Sequence, residues 1–458
     1  IVMNIRFLLA LLSLVMALTA SASVEFTGLT RELYDTVPER STGINHIYVI
    51  YDTNGVGMTY TADTDNPVTW YTFDQSTIGS PQEITVEHDG RLTTLNQVLP
   101  NVGYIIEEGT SRLYLWLVDY SDYRFSLNSV NVASDGDCGS TTLNIDGFGP
   151  EIPYCTLTGV RKVINRDIKI KYNNLVWSLD EGEGEEEIEP EWVERPMTDS
   201  LASLRPAVAL PAPTTNTTFT VCGDRFLRFG GEEVCVESNE YYTAAIDVRC
   251  VITQTSEKHD NEIKTGSEGT LGGSAPCTIT FAAYCTDAVM HREWQMSNDY
   301  NFSTLDLRLN QEVVEQLFED AGTTYWRFYA TNADGTCEYY SDIYTVSIGE
   351  SELICPNVFT PGSSEGVNDI WKVSYRSIID FHCTIFNRWG NVITELKHPS
   401  EGWDGKYKGK LVPAGVYFYV INAKGSDGKN YKLSGDINII RYKRVDHGGG
   451  DDPVVSHE

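Results

Sequence analysis

Pro413-Ala414-Gly415-Val416-Tyr417-Phe418-Tyr419-Val420-Ile421-Asn422 is followed by Asp427-Gly428 and then by Tyr431 to Leu433. Pro413 and Gly415 preset a turn, because proline fixes φ and glycine tolerates what other residues do not. The run behind them is aromatic and β-branched, which suits a pleated strand. Asp-Gly between two such runs is a hairpin signal. Ile437, Ile439 and Ile440 supply a last strand. The segment reads as part of a small antiparallel β-sandwich.

The same grammar recurs upstream. From Ile44 to about Trp177, strands such as His46–Tyr51, Val68–Phe73 and Leu113–Val118 alternate with turn clusters such as Asp52-Thr53-Asn54-Gly55. Trp70 fits a sandwich interior, and Leu113–Val118 reads as buried on both faces. Thr141–Ile145 and Lys169–Trp177 continue the pattern, and no long stretch carries a helical period. Farther on, Cys277–Tyr284 and His291–Met296 read as strands, the second with an inward Trp294. The fold class expected is all-β, with tandem immunoglobulin-like β-sandwich domains.

Between these regions the composition breaks. Asp180 to Glu194 holds nine acidic residues, and Pro196 to Pro213 holds four prolines. Like charges repel and proline resists packing, so residues 180–213 are expected to form an acidic, then Pro-rich, solvated linker. The resulting map is a signal peptide at 1–22, a β-sandwich at 23–179 and, after the linker, a second sandwich at 214–350. A C-terminal module at 351–441 and a disordered tail at 442–458 complete it.

The chain has 458 residues with 34 basic and 65 acidic side chains, a net charge of −31. That balance argues against nucleic acid or an anionic membrane as partner. Arg6, the apolar run Phe7–Leu18 and Ala20-Ser21-Ala22 have the order of a secretory signal with its cleavage site. After its removal no segment is long and apolar enough to span a bilayer. An exported chain is compatible with disulfides. The ten cysteines divide evenly over the expected domains, as bridges within each domain require, and Cys138 with Cys155 is the pair available in the first.

The C-terminal module differs in charge from what precedes it. Residues 355–441 carry eleven Lys and Arg against eight Asp and Glu, so nearly all the excess acid lies upstream. Its motifs are dense. Pro356–Pro361 opens the module, and Asn368-Asp369 follows with Trp371 behind it. Next come Phe386-Asn387-Arg388-Trp389-Gly390, Gly402-Trp403-Asp404-Gly405, Pro413 with Gly415 and Tyr417, and a close at Arg441. In this order and spacing they closely resemble the gliding-motility-associated C-terminal domain, the type B sorting domain of type IX secretion cargo in Bacteroidetes. The resemblance implies a protein secreted or held at the outer cell surface, reached through the periplasm, with the type IX machinery as partner. Gly402 and Gly405 bracket Trp403-Asp404 in a tight turn that can press the indole against a sheet. Candidates for receptor contact are the basic groups Arg388, Lys406, Lys408, Lys410, Lys432 and Arg441. The loop 362–366 lacks the acidic pattern of the family, and the tail runs on past the family's usual end.

Phe318–Gly335, a lead-in, a turn at Gly322, an alternating strand and a turn at Asp334-Gly335, resembles the later strands of the polycystic-kidney-disease-type (PKD) domain. Where that family has an acidic Trp-Asp-Phe-Gly-Asp-Gly run, this chain has Glu293–Asn298.

Chemistry is sparse. No nucleophile elbow, phosphate loop, dinucleotide fingerprint or metalloprotease His pair occurs, and no metal or cofactor is expected. Cys285 and His291 are a thiol and an imidazole near in sequence, better read as structural. Glu107-Glu108 and Asp63 with Asp65 are carboxylate pairs in the sense of glycoside hydrolysis, better read as solvated turns. Asp199-Ser200-Leu201 and Asp35-Thr36-Val37 look like the O-glycan acceptor used in Bacteroidetes, at Ser200 and Thr36. The expectation is a non-catalytic passenger of adhesin or binding type, with an unidentified surface or host ligand. A hydrolase with a site in the first domain, or an accessory part of the secretion and gliding apparatus, are the competing readings.

Overall fold

In the computed structural model the described residues are 22–440, without 134–136, 181–188, 256–258, 264–269 and 363–367. The backbone of 442–445 and 454–457 is described as well. The expected signal segment, but for its last residue, and Arg441 lie outside the described residues. The architecture is all-β: packed sheets, with Arg225–Phe229 as the only α-helix among the described residues. No described helix is long and apolar enough to cross a membrane. The chain forms two compact units. One holds residues up to Asn174 with Glu194–Thr243, the other Leu175–Val193 with the residues from Ala244 on.

In the first unit a four-stranded sheet (Ser23–Thr27, Gly57–Thr61, Leu92–Leu95, Glu87–Asp89) faces a six-stranded one. The six-stranded sheet runs Tyr34–Thr36, His46–Ile50, Ser111–Asp119, Val102–Glu108, Val68–Phe73, Gln82–Ile84. Between them lie Met58, Trp70, Tyr104, Leu115 and Leu117. Trp70 is fully buried, as expected, and its Nε1 donates to Thr93 Oγ1 at 3.0 Å. The opposite face of the six-stranded sheet is also covered. Ile47, Val49, Trp116 and Val118 join a second core with Ile168, Ile170, Phe219 and Val221. Alternation along Ser111–Asp119 therefore sends Leu115 and Leu117 to one core and Trp116 and Val118 to the other. This strand is buried on both faces, as its sequence reads.

Those partners belong to a second sandwich in the same unit. Ser126–Val132, Ser140–Phe148 and Ala207–Pro211 form one sheet, and Trp192–Leu201, Ile168–Trp177, Thr217–Gly223 and Val234–Tyr241 the other. This corrects the Pro-rich part of the expected 180–213 linker, while residues 181–188 of its acidic part lie outside the described residues. Trp192–Leu201 lies at the sheet edge, where Pro196 has no ladder bond to donate. Ala207–Pro211 pairs with Ser140–Asn144 and buries Val208 and Leu210. It corrects the boundary at 214 as well, because Thr217–Tyr241 completes the earlier sandwich. Cys222 and Cys235 face each other across that hairpin and form a disulfide. The expected Cys138–Cys155 bridge is not formed: Cys155 packs into the core as a thiol, donating to Thr156 O. Cys250, Cys277, Cys285, Cys355 and Cys383 are thiols too, against the expectation of bridges in their domains.

In the second unit, Val248–Thr255, Cys277–Cys285 and Val313–Phe318 form one sheet of a sandwich. The other contains Leu271–Gly273, Tyr344–Ile348, Gly322–Thr331, His291–Ser297 and Leu307–Leu309. Phe281, Trp294, Trp326 and Phe328 fill the core, with Trp294 inward as its strand pattern predicts.

The C-terminal module has a core of its own. Its five-stranded sheet runs Val358–Phe359, Asn430–Ile439, Gly415–Gly425, Ile378–Phe386, Val392–Leu396. The first pairing is parallel and the rest antiparallel. One face is covered by Trp371, Val373, Trp403 and Val412, carried on turns and very short strands. Beyond it, Tyr442–Val445 and Val454–His457 pair antiparallel, so these parts of the expected disordered tail are strands.

Candidate functional site

The inner face of the C-terminal sheet explains most of its motif residues. Tyr417, Ile421 and Ala423 alternate inward along Gly415–Gly425 and are buried. Trp371 and Trp403 exchange backbone hydrogen bonds of 2.9 Å in both directions. Trp403 lies 5.3 Å from the Phe359 ring and 5.2 Å from Tyr417, and its Nε1 donates to Lys406 O. Gly402 and Gly405 make this turn possible. A Cβ on Gly402 would meet Ile370 and Lys372 within 2.6 Å, and Gly405 adopts φ +72° beside Pro361. The indole is pressed onto the sheet, as the sequence reading proposed. Asp404 accepts from the Lys406 amide and ammonium, and these bonds hold its carboxyl below the usual range.

The other motif residues fix turns. Asn368 has φ 51°, its carbonyl accepts from Thr360, and Asp369 accepts from the Gly362 amide at 3.1 Å. Pro413 O accepts from the Tyr417 hydroxyl. Asn387 Oδ1 accepts from the amides of Trp389 and Asn391, both at 3.0 Å, and Gly390 follows at φ 82°. That turn leaves Trp389 the most exposed aromatic of the described chain, at 71%, with the Arg388 guanidinium 4.5 Å from its ring centre.

The outer face of the same sheet was not foreseen. Val416, Phe418 and Val420 alternate outward and are each more than 40% exposed. Phe418 faces Phe386 on the neighbouring strand, and Phe386 faces Val392 on the next. The result is an uncovered apolar strip ending at Trp389. A signal was present: every residue of Val416–Ile421 is apolar or aromatic, more than a strand with one buried face requires. Of the basic candidates, Lys406 is paired with Asp404, and Arg388 is bound to the strip by its stacking.

Of the catalytic candidates Asp63 is exposed, and Glu107, Glu108, Asp65 and Cys285 are taken up by structure. Glu108 is 7% exposed and accepts from the Tyr60 hydroxyl and the Thr64 amide, both at 2.7 Å. These bonds, that of the Thr64 hydroxyl foremost, hold its carboxyl below the usual range. Glu107 pairs with Arg112, and Asp65 with Arg91 at 2.7 Å. The Asp65–Arg91 pair lines an open depression of about 390 Å³ with His88 and Asn66. Cys285 and His291 sit on strands of opposite sheets. Burial pushes the Cys285 thiol up to about 11, so it is protonated at neutral pH. A similar depression, also about 390 Å³, lies between Met290, Arg292, Arg308 and Tyr329. Cys222, Glu233 and Cys235 come together, but the two sulfurs are spent on their disulfide. Ser200 is exposed at the end of an edge strand and accepts from Lys169 Nζ, while Thr36 lies on a strand paired with Ile47.

Comparison with known proteins now attaches to this geometry. Residues 353–439 match the CHU_C Type IX secretion signal domain. Residues 129–238 match the fibronectin type III domain, which is the second sandwich of the first unit. No curated protein matches the sequence. Among solved structures, three N-terminal domains of the highly immunogenic outer capsid protein of bacteriophage RB49 are similar at 9% identity and TM-score 0.21. That match covers 69% of this chain and all of the other. Sidekick-1 immunoglobulin domains 1–5 match at 11% identity and TM-score 0.23, over 86% of this chain and 77% of theirs. Dimeric latent PorU from Porphyromonas gingivalis matches at 8% identity and TM-score 0.18, over 72% and 35%. The C-terminal module is thus a type IX secretion signal domain, and it marks the protein for export, to the cell surface or the medium.

Proposed function

We propose that the protein is a type IX secretion cargo whose passenger, residues 23–350, is a non-catalytic binding or adhesion module. The match of residues 353–439 to a secretion signal domain carries the first half. The second half rests on how the passenger spends its reactive groups. The carboxylates that could serve acid–base chemistry are tied into hydrogen bonds and ion pairs at Glu107, Glu108 and Asp65. Stacked sandwiches hold loop tips away from a surface, and the excess acid keeps them soluble. The PKD-like reading of the sandwich before the signal domain fits such a spacer. Deletion of residues 353–458 tests the sorting role. The passenger is expected to stay in the periplasm, and unchanged delivery outside the cell would remove that role. Binding of the secreted passenger to cells or matrix glycans, against hydrolysis of the same glycans, tests the passenger.

A further inference from the structure

The sandwich that precedes the signal domain carries a depression of about 390 Å³ on the outer face of the sheet whose inner face presents Trp294, Trp326 and Phe328 to the core. That volume lies within the range of small-ligand sites, about 300–1,000 Å³. Strand alternation builds its floor. Glu293 and Tyr329 are partners on neighbouring strands, and Tyr340 is the partner of Tyr329 on the next. On the other side Arg308, partner of Gln295, brings its guanidinium to 3.6 Å from Glu293 Oε1. The row is Tyr340, Tyr329, Glu293, Arg308, with the two tyrosine rings 4.7 Å apart. His291, Arg292 and Asn310 close its end. The row is held in place by its neighbours. Gln295, 4% exposed, donates to Glu293 Oε1 at 2.6 Å and accepts from Arg327 Nε at 2.8 Å. Arg327 is itself clamped between the rings of Phe302 and Tyr340. The Tyr329 hydroxyl donates to Glu338. Glu293 Oε2 meets no donor among the described residues, so a fixed acceptor stays open beside the Arg308 donors.

We propose that this depression binds a sugar ring of a neutral glycan; the proposal rests on the binding role given to the passenger above and supplies its site and ligand class. A hydroxyl both donates and accepts, so a carboxylate acceptor beside a guanidinium donor matches two neighbouring hydroxyls of a sugar, and the Tyr329 ring meets its C–H face. Charge decides between neutral and ionised ligands. Arg292 pairs with Glu312 at 2.6 Å and Arg308 with Glu293, while Arg327 and Glu338 complete the face, so its charges balance. Asp287 and Asp334, on the turns at the His291 end, add acid. Asp299 and Asp306, at the far end of the sheet, cap amides of residues 298–303. An anion would have to displace Glu293 from Arg308 in these surroundings, and a metal cation would meet a single open carboxylate. Met290 is the sole aliphatic side chain of the wall, too little to seat the apolar anchor of a peptide. The comparable depression at Asp65 and Arg91 has no Tyr, Phe or Trp in its lining.

The test uses the full-length secreted protein in native gels that contain mannan, galactan or laminarin as neutral probes, or polygalacturonate as the anionic one. Expected is retardation by at least one neutral polysaccharide, insensitive to added salt because the ligand carries no charge. Glu293→Gln and Arg308→Ala should each weaken it about tenfold, the size of a lost hydrogen bond to a charged group. His88→Gln, in the other depression, should leave it as it is. Arg308 is 62% exposed, so the melting temperature of Arg308→Ala should stay within about 2 °C of the parent, and its loss of binding then reports the site and not the fold. Retardation by polygalacturonate alone, or neutral retardation that neither variant weakens, overturns the proposal. A parent that adheres to cells but is retarded by no neutral polysaccharide overturns it too, and the binding reading of the passenger then stands without this site. A parent that neither adheres nor is retarded removes both.

Discussion

Two joints in this molecule connect neighbouring sandwiches, and they are built differently. In the first unit the six-stranded sheet shares a continuous apolar core with the fibronectin-like sandwich. At its edge lies a fully buried ion pair between Arg166 and Asp224. Arg166 also donates to the carbonyls of Tyr123 and Pro150, and Asp224 accepts from the Tyr120 hydroxyl and caps the amides of Phe226 and Leu227. Before the signal domain the joint is mostly polar. Asn261 Nδ2 donates to Val373 O and Pro399 O at 2.7 and 2.8 Å, and the Ser377 amide donates to Ser274 Oγ. The cores on either side are separate clusters, with Ile379 as the contact across. A welded core makes two sandwiches one object. A hydrogen-bonded seam leaves a module that keeps its own interior, which an export signal needs if it is to be read apart from its passenger.

The hardest blow to the weld is Arg166→Met. Removing one partner leaves Asp224 buried and uncompensated, which costs about 3–5 kcal/mol. Denaturant unfolding should show the first unit's transition lowered by that amount and the second unit's in place. A loss below about 1 kcal/mol would mean that the ion pair is ornamental and that the shared core alone joins the sandwiches. Next in size is the Cys222–Cys235 bridge, which closes a loop with a sequence separation of 13. Replacing both cysteines by serine should cost about 2–3 kcal/mol by the chain-entropy estimate, again in the first unit alone. An equal shift in the second unit would contradict the division of the chain.

The seam should be weaker and more local. Asn261→Ala leaves two carbonyls of the signal domain without their donor, a cost of about 1–3 kcal/mol. Hydrogen exchange should then quicken at Tyr375, whose amide donates to Asn261 O, while Ile421 and Ile437 in the signal domain's own core stay protected. Quickening of both together would show that the module does not hold its fold without the seam.

How far the sequence carried this picture differs between the two joints. In the signal domain each motif is local: the turn at Gly402–Gly405, the Asp427-Gly428 hairpin and the strand between them follow from neighbours in the chain. The doubly buried Leu113–Val118 was legible because its apolar run has no polar alternation. The weld was not legible. Its members Tyr120, Arg166 and Asp224 are far apart in sequence, and nothing local marks a buried arginine. Trp192–Leu201 hid behind its proline and acids, since an edge strand tolerates both and its pairing partner lies beyond the acidic run. The exposed strip escaped for a different reason. Periodicity separates the two faces of Val416–Ile421 but does not say which neighbour covers the second one.

The smallest expected effect is the response to acid of the signal domain's turn at the seam, where the Ser426 carbonyl accepts from the Ala321 amide of the preceding sandwich. Asp427 accepts from the Ser351 hydroxyl, the Ser351 amide and the Lys429 amide. These bonds, Ser351's hydroxyl first, hold its carboxyl below the usual range. A carboxylate whose folded pKa is depressed contributes in full at neutral pH. That contribution begins to fade as pH falls past the unfolded value of about 3.9, and it is gone below the folded one. Because Asp427 is exposed, solvent keeps the effect small. Between pH 6 and pH 3 the Ser351 and Lys429 amides should lose exchange protection, corrected for intrinsic rates, before the strands Ile168–Trp177 and Thr217–Gly223 of the weld do. Asp427→Asn should remove the dependence. Protection that rises toward low pH, or is lost at both joints together, would erase the distinction between a seam and a weld.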